Sequence, residues 1–153
     1  MDKLKSLLLP LALVFGAIAV FEFGARYGAA NMRAYAIASE LQLPIKIYTQ
    51  GQTSMDPTSK EAFAMLIDNG IAAGALQLDL WYVSKESKAA LQNTISEGLS
   101  LRGDATIERF QQVNASEETT GQSKTRIQEI LAALEKVIAK FETSQSTAAE
   151  PAS

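Results

Sequence analysis

The sequence predicts an all-α protein: an N-terminal single transmembrane helix that extends into a small helical bundle, with a disordered C-terminal tail. Three observations carry this expectation. Residues 7–21 contain no charged or strongly polar side chain. After position 57 the apolar residues recur at steps of three and four, the period of a helix with one buried face. Alternation of the kind a strand needs is confined to Ile45 and Ile47 among Lys46 and Tyr48, too few residues to support one.

The first element begins with Lys3 and Lys5 ahead of the apolar run. At about 1.5 Å per residue, residues 7–25 form a helix about 28 Å long, close to the hydrocarbon thickness of a bilayer. Pro10 lies in the opening turns, where a missing amide hydrogen costs little. Phe21, Phe23 and Tyr27 then fall at the far interface, where rings with one wet edge collect. The competing reading is a cleaved signal peptide. Its candidate cleavage sites, Ala17-Ile18-Ala19 and Gly28-Ala29-Ala30, lie inside the apolar run and after the charged residues Glu22 and Arg26 respectively, and both are poorly placed. Residues 1–25 are therefore read as a short cytoplasmic tail plus an uncleaved span, and residues 26–42 as the same helix continuing beyond the bilayer.

That continuation has two sides. Glu22, Arg26, Arg33 and Glu40 fall on one charged stripe, since their spacings are four and seven. Opposite lie Ala17, Gly24, Gly28, Asn31, Tyr35 and Ala38, a mostly small seam suited to close helix packing. Its expected partner is a second copy, another helical membrane protein, or a later helix of this chain. Pro44 is expected to end the helix, which makes residues 43–56 a connector.

Residues 57–142 read as the bundle. Asp56 caps a helix that starts with Pro57, and Asn69-Gly70 is expected to break or kink it. Residues 71–83 are apolar around most of the circumference and read as the buried helix. They are not a second span, because an aspartate near a bilayer centre costs about 2.5 to 3.5 kcal/mol and both Asp68 and Asp79 interrupt the segment. Ser84 or Ser87 caps the next helix, which presents Leu91, Ile95 and Leu99 on one face. A shorter helix follows Gly103, and residues 114–122 are polar enough for a linker. Residues 124–142 carry Ile127, Ile130, Leu134, Val137 and Phe141 at alternating steps of three and four, a coiled-coil-like contact face for another helix or subunit. Residues 143–153 have little to bury and are expected to be disordered.

Composition narrows function. The 153 residues include no histidine and no cysteine, so the usual general base, the commonest metal ligand and the thiolate nucleophile are all missing. No enzyme activity, cofactor or metal is expected. A net charge of −3 offers no positive field for nucleic acid. Arg102-Gly103-Asp104 spells an adhesion tripeptide, yet Gly-Asp is also a plain helix terminator and cap. Gly121 to Thr125 ends like a phosphate loop but has Ser123 and Glu118 where glycines are required, and Asn114-Ala115-Ser116 is a sequon only in a host that glycosylates. Asp68 and Asp79, about 16 Å apart on one helix, read as a solvated face. Trp81 reads as a core residue, with an interfacial or ligand-contacting patch at Trp81 and Tyr82 as the alternative. Together these features describe a membrane-anchored interaction or scaffold protein, with a ligand-sensing bundle or a secreted helical protein as the alternatives.

Overall fold

The computed structural model describes residues 2–148, with side chains from residue 10 to residue 143. It comprises five helices and, among the described residues, no strand: α1 (Asp2–Gly51), α2 (Pro57–Leu78), α3 (Lys85–Arg102), α4 (Ala105–Ala115) and α5 (Gly121–Ala148). The half of α1 from Ala30 to Tyr48 packs with α2 and α3, and α5 covers α2 and α4. Their shared core includes Leu41, Ile45, Ile67, Ile71, Leu91, Ile95 and Leu134, each 2% exposed or less. The segment from Pro10 to Tyr27 lies outside this core and is exposed throughout.

Pro44 does not end the first helix, which runs on to Gly51. The proline costs about 3 kcal/mol inside a helix. Against that, Leu41, Ile45 and Tyr48 are buried on the same face, and burying side chains of this size contributes about 1.5 to 3 kcal/mol each. Burial wins, and the expected connector shrinks to residues 52–56. Asn69-Gly70 likewise leaves α2 unbroken. Gly70 is there for closeness: a Cβ on it would lie 2.7 Å from Leu41 Cδ1. Gly74 gives the same closeness to α3, where a Cβ would meet Ile95 Cδ1 at 2.7 Å.

The caps follow the local chemistry. Asp56 accepts from the Ser59 N–H at 3.0 Å and from its hydroxyl at 2.6 Å, opening α2 one residue before Pro57. Ser84 caps α3 by accepting from the Ser87 N–H at 3.1 Å. Gly103 closes α3 at φ 53°, a backbone position that favours glycine, whereas Asp104 precedes α4 without a side-chain cap bond. The polar linker is shorter than expected, residues 116–120, because α4 continues to Ala115 and α5 starts at Gly121. The expected disordered tail is also shorter at its start: α5 extends to Ala148, and residues 149–153 lie outside the described residues.

Candidate functional site

Asp68 corrects the sequence reading most sharply. Rather than lying on a solvated face, it is 0% exposed in the middle of α2. Its Oδ1 accepts from Arg102 Nε at 2.9 Å and from the Thr106 hydroxyl at 2.7 Å, while Oδ2 accepts from Arg102 Nη2 at 3.0 Å and lies 3.5 Å from Arg109 Nη1. Bidentate pairing with Asp68 raises the Arg102 guanidinium above its ordinary value, against the opposing effect of partial burial, with Tyr48 beside it acting in the same upward direction. Arg109 also donates to the Met65 carbonyl. Both carboxylate oxygens are engaged, so the cluster clips α2, α3 and α4 together. Arg102 of the adhesion-like tripeptide is consumed in this clip. Asp79, by contrast, is exposed and pairs with Lys136 of α5.

The seam expected on α1 is divided. Ala38 is buried in the bundle, and Asn31 is half-buried with its Oδ1 accepting from the Ser84 N–H at 2.8 Å. Gly28 is half-buried, while Ala17, Gly24 and Tyr35 are exposed, Tyr35 by 51%. The face that packs within the chain is Ala30, Ala34, Ala38, Leu41, Ile45 and Tyr48. At about 100° per residue this line lies about 90° around α1 from the centre of the expected seam. A flank bearing Gly24, Gly28, Met32, Tyr35 and Leu43 is left largely uncovered, with Met32 76% and Leu43 63% exposed. Beyond the local backbone of α1 itself, no atom lies within 4 Å of where a Cβ would sit on Gly24 or Gly28.

Trp81 is not a core residue: it is 74% exposed. The turn between α2 and α3 folds Val83 inward to 5% exposure and leaves Trp81 outside. Its ring lies 5.6 Å from that of Phe23 on α1 and 5.5 Å, edge to face, from that of Tyr82. Together with Ala19, Glu22 and Arg26 these rings line a shallow groove of about 260 Å³ at the end of the apolar segment. Nothing in the sequence signalled the Phe23 contact, which joins positions 58 residues apart.

The contact face of α5 is used inside the chain. Leu134 is buried, Ile130, Val137 and Phe141 pack on the core, and Ile127 is half-buried. An open groove of about 630 Å³ lies beside Leu78, Gln92, Ser96, Val137 and Phe141. Gln77 Oε1 is buried without a hydrogen-bond partner. Among the described residues no three acidic side chains converge in a way that could hold a metal ion. No protein-family model, curated protein or solved structure matches this chain.

Proposed function

We propose that the chain is a single-pass membrane protein whose bundle serves as an interaction or scaffold element without catalytic activity. One observation carries this reading: the exposed apolar segment from Pro10 to Phe23 is helically continuous with the buried face from Ala30 to Tyr48. One helix is thereby both the candidate span and a wall of the bundle. Leu13, Phe15, Val20 and Phe21 are 64% to 75% exposed, an arrangement that water disfavours and hydrocarbon suits. Cleavage after Ala30 would cut this helix at a residue packed to 8% exposure, which favours an uncleaved anchor over a signal peptide.

Lys3 and Lys5 before the span favour an inside N-terminus, with the bundle on the extracytoplasmic side. The uncovered flank with Gly24, Gly28 and Tyr35 is the surface we assign to a second copy or to another helical membrane protein. The test is the intact mass of C-terminally tagged protein in carbonate-washed membranes. Full-length protein retained in the membrane is expected, and a soluble product shortened at Ala19 or Ala30 would sink the reading. Because the chain has no cysteine, Gly24→Cys then gives a clean crosslinking probe: a disulfide-linked dimer is expected if the partner is a second copy.

A further inference from the structure

We propose that the turn between α2 and α3, residues 79–84, is a second membrane contact, with Trp81 and Tyr82 lying in the headgroup zone of the bilayer that α1 crosses. This rests on the membrane-anchor reading and adds to it. Three observations lead there. The only tryptophan of the chain is 74% exposed, although tryptophan is among the more buried residues on average. Its ring packs against Phe23, the last aromatic residue of the apolar segment, so the turn and the end of the span share one level. The turn is also pinned there: Asn31 of α1 accepts the Ser84 N–H and donates to the Tyr27 carbonyl.

Indole and phenol rings with one polar edge collect at this level of a bilayer. Charge does not favour an anionic surface in particular. Glu22 pairs with Arg26 and Asp79 with Lys136, while Glu86 lies among Lys85 and Lys88. The contact is therefore aromatic, and the zwitterionic phosphatidylcholine interface suffices.

The experiment uses the full-length chain reconstituted in phosphatidylcholine vesicles that carry a nitroxide either just below the headgroup or near the bilayer centre. The emission of Trp81 should fall most with the shallow nitroxide, less with the deep one, and little with iodide in the water. The same pattern is expected when phosphatidylglycerol is added. A double variant, Phe23→Trp with Trp81→Phe, reports on the span itself. If the tryptophan at position 23 is quenched by lipid while Trp81 responds only to iodide, the second contact is overturned and the anchor stands. Lipid quenching at neither position overturns both. Quenching of Trp81 only when phosphatidylglycerol is present would overturn the aromatic basis.

Discussion

Asp68 has the most to lose from a single change. Its carboxylate serves Arg102, Thr106 and Arg109, three residues from two helices. Removing one partner of a buried pair leaves a charge without compensation. Asp68→Asn is expected to cost about 3 kcal/mol of unfolding free energy by denaturant titration, and Arg109→Met much less, because Arg109 is the more distant partner. Asp56 predicts a pH effect. Its hydrogen bonds from Ser59 lower its pKa below the ordinary 3.8. A lowered carboxylate pKa means the charged form is favoured in the folded state, so this stabilisation is complete above 3.8 and is lost as pH falls through the lowered value. Asp56→Asn keeps an acceptor for the cap and should flatten that acid limb in a pH series of thermal midpoints. The sequence could flag Asp68 only as an aspartate among Phe63, Ile67 and Ile71. Its partners lie 34 to 41 residues away, and no local pattern names them.

Among the elements, helices were legible where burial follows the local period. Leu91, Ile95 and Leu99 of α3 face the core as their spacing predicts. The breaks were misjudged where tertiary contact overrides propensity, at Pro44 and at Asn69-Gly70. Both lie where α1 and α2 meet, and a single sequence does not show that a glycine is facing another helix. Gly74 gives the decisive measurement. Alanine normally gains about 1 kcal/mol over glycine within a helix. At Gly74 the added methyl would meet Ile95 and Leu91, both fully buried, so Gly74→Ala should instead destabilise by about 1 to 3 kcal/mol. Gly28→Ala, with nothing within 4 Å, should leave the stability of the isolated chain unchanged or raise it. Unfolding of both variants in the same detergent, followed by circular dichroism, separates the two cases.

For the whole molecule, the fold class and the apolar segment were readable from composition and period alone. Trp81 and the packed face of α1 were not, because each depends on how far one helix is rotated against its neighbours. The continuity of α1 has a mechanical consequence. On the anchor reading proposed above, the bundle packs along one half of α1 and follows any lean of the other half. Phe23 and Gly51 are separated by about 42 Å of helix, and a lean of about 20°, common for single spans, carries the far end sideways by about 14 Å. Thinner bilayers make a span of fixed length lean further. Spin labels at the turn before α2 should therefore move closer to the lipid surface as acyl chains are shortened, as measured by power saturation. For a bundle anchored as we propose, this lever arm would convert membrane thickness into the height at which the bundle is presented.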